Sequence, residues 1–94
     1  MSKHSYEKFG ELYSALVRLS SIEDTELFLE DVLTVKELEA MAQRLEVAKL
    51  LRAGKNYQEV SRLTGASTAT ISRVNKCLLY GRGGYSRVLD GEDA

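Results

Sequence analysis

The chain has 94 residues, a formal net charge of −1 and a single cysteine, so it has room for one domain with a thin hydrophobic core. No apolar run is long enough to span a membrane, and the N-terminus lacks the apolar segment of a secretory signal. The single cysteine excludes an intramolecular disulfide, and together these features predict a cytoplasmic protein.

Two amphipathic helices are predicted at the N-terminus, Tyr6 to Leu19 and Thr25 to Leu33, separated by a polar break. Their apolar faces contain Phe9, Leu12, Tyr13, Leu16 and Val17 in the first helix, and Phe28, Leu29 and Val32 in the second. One further helix cannot cover both faces in so small a subunit, so they predict a symmetric dimer in which these helices pack on the partner. An ordinary monomeric bundle is the alternative.

The longest predicted helix runs from Val35 to Ala53. Thr34 and Glu37 are spaced as a capping box at its start, and Gly54 ends it. Its apolar stripe is predicted to consist of Leu38, Met41, Leu45, Ala48 and Leu51.

Residues 56–80 have the pattern of a helix-turn-helix. Asn56 and Glu59 are spaced as a capping box for a short helix, and Gly65 stands where that helix needs a left-handed residue. Ser67 is suited to cap a second helix from Thr68 to Tyr80. The side chains predicted to face inward are Val60 and Leu63 on the first helix, and Ile71, Val74, Cys77 and Leu78 on the second.

The opposite face of the second helix is small and polar, with basic residues behind. It consists of Thr68, Ala69, Ser72, Arg73 and Lys76. Small side chains let the backbone approach another surface, and arginine and lysine can hold phosphates, so this face suits the DNA major groove. A helical hairpin that only packs against its own domain is the alternative.

The C-terminal segment breaks the helical pattern at Gly81 to Gly84. A short helix is predicted from Tyr85 to Leu89, and Asp90 to Ala94 are predicted to fray. No strand is predicted, so the fold class is all-α. Residues 1–94 are interpreted as one domain, with a dimer core at 5–53, the helix-turn-helix at 56–80 and a C-terminal segment at 81–94.

Charge is divided unevenly along the chain. Residues 44–87 contain nine Lys or Arg and two acids, a net of +7, whereas residues 1–43 contain four bases and nine acids, a net of −5. A basic half supplies the salt-dependent attraction to phosphates, and the acidic remainder limits indiscriminate binding. Solvated helix faces of unequal charge are the alternative.

The residue inventory does not favour an enzyme. The chain has one histidine and one cysteine, and neither a metal-ligand spacing nor a nucleophile beside a base in the sequence is present. Two functions therefore remain. One is a dimeric, sequence-specific regulator that binds double-stranded DNA, and the other is a helix-turn-helix module that docks on the transcription machinery.

Three segments together resemble the Trp repressor family. They are the start LTVKELEAM, the stretch AQRLEVAKLLRAG and the helix TGASTATISRVNKCLLYG. The likeness covers about residues 5–89 and is strongest to the YerC/YecD-type branch of that family. It implies an intertwined, all-helical homodimer that represses transcription from a palindromic operator. Trp repressor is itself a standard example of helix-turn-helix docking, so that docking mode is what the resemblance implies.

The resemblance also assigns roles to residues. In the family, tryptophan lies between the long helix and the recognition helix, and the matching positions here are Leu33, Thr34, Arg44, Arg73, Val74 and Cys77. The positions that match DNA-facing residues are Tyr57, Thr68, Ala69, Thr70 and Ser72. Arg44 could instead form an ordinary surface salt bridge.

Two residues depart from the family pattern. Val74 stands where the repressor has a glycine at the pocket wall, and Cys77 stands where it has a serine that holds the ligand's amino group. A valine adds volume to the pocket, and a thiol is a weaker hydrogen-bond partner than a hydroxyl. These departures argue against tryptophan. The sequence indicates no resident cofactor and leaves open a small-molecule co-repressor of unknown identity.

Overall fold

The structure, a computed structural model, describes the backbone of residues 3–92 and the side chains of residues 8–91. Over residues 3–92 the chain forms six α-helices and no strand, which confirms the predicted all-α fold. The helices are α1 (Lys3–Val17), α2 (Ile22–Val32), α3 (Val35–Arg52), α4 (Tyr57–Thr64), α5 (Thr68–Tyr80) and α6 (Gly84–Glu92). None of these helices is long and apolar enough to cross a membrane.

The chain divides into two compact units, Met1–Leu38 and Glu39–Ala94. The C-terminal helix is longer than predicted, because it continues to Glu92 where fraying was expected from Asp90. Residues 93 and 94 of that predicted frayed end lie outside the described residues. The division of the chain into a dimer core, a helix-turn-helix and a C-terminal segment stays a prediction.

The N-terminal unit has no buried side chain among residues 8–38. α2 begins three residues earlier than predicted, because Ser21 caps it by accepting a hydrogen bond from the backbone N–H of Asp24 at 3.0 Å. The predicted apolar face of α1 is solvent-exposed, and Val17 at its end is 84% exposed. This unit therefore has apolar faces but no core of its own within the described residues.

The capping box at the start of α3 is present as predicted. The backbone N–H of Thr34 donates to Oε1 of Glu37 at 2.8 Å, and the backbone N–H of Glu37 donates to Oγ1 of Thr34 at 3.1 Å. The hydrogen bond from the Thr34 backbone, followed by the one with its side chain, holds the pKa of the Glu37 carboxyl below its usual value.

Replacing Glu37 by glutamine should therefore change how stability depends on pH. Because the folded-state pKa is lowered, the carboxylate's contribution is fully present above its unfolded pKa and is lost as pH falls through the folded value. Glutamine keeps the box geometry without the charge. Melting temperatures at one protein concentration should differ between wild type and E37Q at pH 7 and converge at low pH. The control Glu39→Gln removes the same charge from α3 outside the box, and an identical pH-dependent difference there would contradict this prediction.

The C-terminal unit has a small, continuous core. Seven residues from four helices and one turn are buried: Val47, Ala48, Val60, Ala66, Ile71, Val74 and Leu89. Leu50, Leu51, Leu78 and Tyr85 pack against them. The core thus joins α3, α4, α5 and α6.

Three residues on the predicted apolar faces of α3 and α4 are not buried within this unit. Met41 and Leu45 are exposed, and Val47, which was not predicted, is fully buried instead. α3 is apolar on several sides, so its buried stripe is decided by where the other helices of the unit pack, not by its own periodicity. Leu63, which was predicted to face inward, is 53% exposed, whereas Val60 on the same helix is fully buried.

The turn of the helix-turn-helix is fixed by local hydrogen bonds. Gly65 has a left-handed backbone with φ of 74°, as predicted, and its N–H donates to the carbonyl of Ser61 at 2.8 Å. The Ser61 hydroxyl donates to the carbonyl of Ala66 at 3.0 Å, and the Thr64 hydroxyl accepts from the N–H of Ala66 at 3.1 Å. The side-chain amide of Gln43 on α3 donates to the carbonyl of Thr64 at 3.2 Å. These contacts set the angle between α4 and α5.

The start of α4 uses half of the predicted capping box. Asn56 caps the helix, because its Oδ1 accepts from the backbone N–H of Glu59 at 2.9 Å. The carboxylate of Glu59 lies 3.8 Å from Nζ of Lys55. The side chain of Glu59 is thus paired with a lysine, whereas a full box would direct it to the N–H of Asn56.

Candidate nucleic-acid interface

α5 begins and ends where the sequence predicts, at Thr68 and Tyr80. Ser67 has an extended backbone, and its Oγ accepts from the N–H of Thr70 at 3.2 Å, so it caps the helix. Ile71 and Val74 are buried in the core and fix the rotation of α5 about its axis. The side of the helix opposite to them is therefore presented to solvent.

The outward face of α5 is exposed along its length. Its exposed residues are Thr68, Ala69, Ser72, Arg73 and Lys76. Tyr57, at the first position of α4, is also exposed. The face begins with two small side chains and continues with two bases, and no acid lies in the first turn of α5. The assignment of these residues to DNA stays a prediction.

Thr70, which was also predicted to face DNA, lies elsewhere. It is partly buried, its Oγ1 accepts a hydrogen bond from the Ser67 hydroxyl at 3.2 Å, and it lines a pocket behind the recognition face. A threonine two residues past the exposed Thr68 is turned about 200° around the helix, which places the two on different sides.

The pocket has a volume of about 170 Å³ and lies in the C-terminal unit, between α3, α5 and α6. Its lining residues are Arg44, Thr70, Arg73, Val74, Cys77 and Tyr85. The structure thus brings together four of the six residues predicted for a ligand site. The other two, Leu33 and Thr34, belong to the N-terminal unit, and their assignment to a ligand stays a prediction.

Cys77 is exposed, and its prediction as a core residue was wrong. At 3.6 residues per turn, Cys77 lies about 120° around the helix from Ile71, whereas Leu78 lies within about 20° of it. Leu78 therefore packs against the core, and the thiol of Cys77 lies in the wall of the pocket. Val74 contributes to both, since it is buried and also lines the pocket.

Tyr85 and Thr70 were not assigned to the pocket from the sequence. α6 holds Tyr85 there through Leu89, which is buried one turn further on, and through an ion pair between Asp90 and Arg52 of α3. The spacing of Tyr85 and Leu89 could have indicated an inward face for α6. Nothing in the sequence indicates which site that face would complete.

Larger depressions of about 500 Å³ and 480 Å³ lie on the N-terminal unit. They follow open, exposed stretches of α1 and α2, so they are parts of a surface and not ligand cavities. Among the described residues, no group of three or more His, Cys, Asp or Glu is placed to hold a metal ion.

A buried core that fixes two short helices around a glycine turn, with the outer face of the second helix free, defines a helix-turn-helix protein. Comparison with known proteins specifies it further. The family model described as Trp repressor protein matches residues 7–93, so the chain belongs to the Trp repressor family, which is a family of regulators.

Three relatives show the extent of this likeness. YerC of Bacillus subtilis, a protein of uncharacterised function, is 43% identical over 84 residues, which cover 89% of this chain and 81% of YerC. The crystal structure of a TrpR-like protein from Eubacterium eligens has a TM-score of 0.87 at 42% identity, covering 93% of this chain and 90% of that one. A provisionally assigned Trp repressor from Staphylococcus aureus has a TM-score of 0.87 at 38% identity, covering 93% and 87%.

Proposed function

We propose that the protein is a dimeric transcriptional regulator of repressor type that recognises a palindromic operator through α5. The observation that carries this proposal is the free outer face of α5. Its first turn offers Thr68 and Ala69 to the base edges, and Arg73 and Lys76 follow where phosphates would lie. The capped start and the hydrogen-bonded turn hold this face in one geometry.

A second copy of the chain is the proposed partner of the N-terminal unit. Phe9, Leu12, Tyr13 and Leu16 form one apolar stripe on α1, and each is more than a third exposed. α2 likewise has no buried residue. Faces of this size require a cover, and a symmetric dimer supplies one with the same residues on both sides. Two recognition helices about 34 Å apart would then read two half-sites one helical turn apart.

The pocket behind α5 is the proposed site of a small effector. It touches the recognition helix through Thr70, Arg73, Val74 and Cys77, so an occupant could bias the position of α5. Tryptophan does not suit this pocket, because Val74 occupies space at its wall and because the thiol of Cys77 is a weaker hydrogen-bond partner for the ligand's ammonium group than a hydroxyl would be.

A regulator of this kind acts on chromosomal DNA, so we propose a cytoplasmic location.

The proposal is tested by anisotropy of a labelled mixed-sequence DNA duplex, with the oligomeric state measured by light scattering. We expect a dimer whose affinity for duplex falls at least about tenfold between 50 and 200 mM salt, because two or more phosphates are neutralised. A folded protein with no measurable affinity for duplex at 50 mM salt would favour the helix-turn-helix as a docking module for the transcription machinery.

A further inference from the structure

The turn of the helix-turn-helix is tied to the long helix α3 by the side chain of Gln43. Its Nε2 donates a hydrogen bond to the backbone carbonyl of Thr64 at 3.2 Å, although the two residues are 21 positions apart in the sequence. Thr64 is the last residue of α4, so its carbonyl lies at a helix end where no partner within the helix is available. The Gln43 amide supplies that partner from another helix.

Both ends of this hydrogen bond are held in place by other contacts. Gln43 is half-buried and lies four residues before Val47, which is completely buried. Residues four apart project from the same side of a helix, so the packing of Val47 directs Gln43 toward the turn. The Thr64 hydroxyl donates to the carbonyl of Val60 at 2.7 Å and accepts from the N–H of Ala66 at 3.1 Å. The bond therefore joins two groups whose positions are already defined.

A directional contact at this point restrains α5 in a way that apolar packing does not. The core that attaches α4 and α5 to α3 consists of small and aliphatic side chains, and hydrophobic attraction has no direction. A hydrogen bond, in contrast, weakens steeply when its angle is distorted. Because α5 begins four residues after Thr64, the bond from Gln43 restrains how the first turn of α5 is oriented on α3.

We propose that Gln43 is a positioning residue for DNA recognition, which holds the turn and α5 at the angle that base contacts require and does not touch DNA itself. Its effect on DNA rests on the proposed function, whereas its bond to Thr64 does not. Base contacts require precise geometry, but the attraction of basic side chains to phosphates is largely independent of sequence. Loss of the bond should therefore lower sequence discrimination more than the general affinity for DNA.

The bond can be observed without DNA, because the chain contains two glutamines, Gln43 and the exposed Gln58. Isotope labelling of glutamine nitrogen gives NMR signals from these two side-chain amides alone. An amide proton of Gln43 should exchange with solvent at least about threefold more slowly than those of Gln58, because it is hydrogen-bonded. Gln43→Met, which keeps a side chain of similar length and removes the donor, deletes the Gln43 signal and so assigns it.

The same variant tests the role in DNA recognition. Gln43→Met should lower affinity for an operator selected from a random pool by about threefold or more, as expected for one lost hydrogen bond. Affinity for a mixed-sequence duplex should change by less than about 1.5-fold, because the phosphate contacts remain. A merely structural role would lower the folded fraction and weaken both kinds of DNA equally. Val88→Met, which places a methionine at an exposed position on α6, should change neither affinity.

Two results would overturn the proposal. Equal exchange rates for the two glutamine amides would show that the bond does not form. An equal fall in affinity for the operator and for mixed-sequence duplex would reduce Gln43 to a structural role. If selection yields no operator, the proposed function fails and the role of Gln43 in DNA recognition falls with it, whereas the exchange rates still report separately whether the bond forms.

Discussion

Replacing Thr68 and Ala69 together by glutamate is expected to lower affinity for operator DNA by at least about 30-fold. Both residues are exposed in the first turn of α5, where the proposal places the base edges. Each disrupted contact costs about 1–3 kcal/mol, so two cost about 2 kcal/mol or more, which corresponds to that factor. Anisotropy with a selected operator duplex measures the loss.

The double variant should remain a folded dimer. Acidic residues in the first turn interact favourably with the helix dipole, so glutamate at these positions does not oppose α5. The control Ser20→Glu with Ala53→Glu adds the same charge at exposed positions outside α4 and α5. If the control lost as much affinity, the effect would come from net charge, and α5 would not be the reading element.

Truncating Ile71 to alanine is expected to produce the largest loss of stability. The side chain of Ile71 is completely buried, with 0% of its surface exposed, and it is among the largest of the buried side chains. Its loss leaves a cavity in a core of seven residues, at a cost of about 2–5 kcal/mol. For a chain of this size that corresponds to a fall in melting temperature of about 10 °C or more.

The matched control is Val88→Ala on α6, where the side chain is 60% exposed. It should change the melting temperature by no more than a few degrees. Thermal unfolding followed by circular dichroism at one protein concentration gives both values, since dimerisation would make stability depend on concentration. Comparable losses in the two variants would mean that the core of the C-terminal unit is not centred on Ile71.

The sequence predicts local structure well at three helix caps and one turn, where a short-range hydrogen bond decides it. Thr34, Asn56 and Ser67 cap the helices assigned to them, and Gly65 adopts the left-handed turn. In each case the partner lies within four residues, so the chemistry is visible in the sequence. α5 consequently has the predicted bounds.

Packing between helices is less visible in the sequence. Val47 is buried and Met41 is not, because the choice depends on which side of α3 the other helices of its unit cover. Cys77 was assigned to the core because its spacing from Ile71 and Val74 is close to that of an inward face. It is exposed and lies in the pocket wall. Tyr85 reaches the same pocket only because Leu89 and Asp90 fix α6, and no local signal predicts that contact.

The proposed dimer reads a DNA sequence with two copies of α5, one from each subunit. Selection of binding sites from a random double-stranded DNA pool tests this most directly. The purified protein would be used at moderate salt, with and without tryptophan. A palindromic motif with half-sites about one helical turn apart, enriched in both samples, is the predicted result. A protein that is folded and dimeric but enriches no motif in either sample would contradict it.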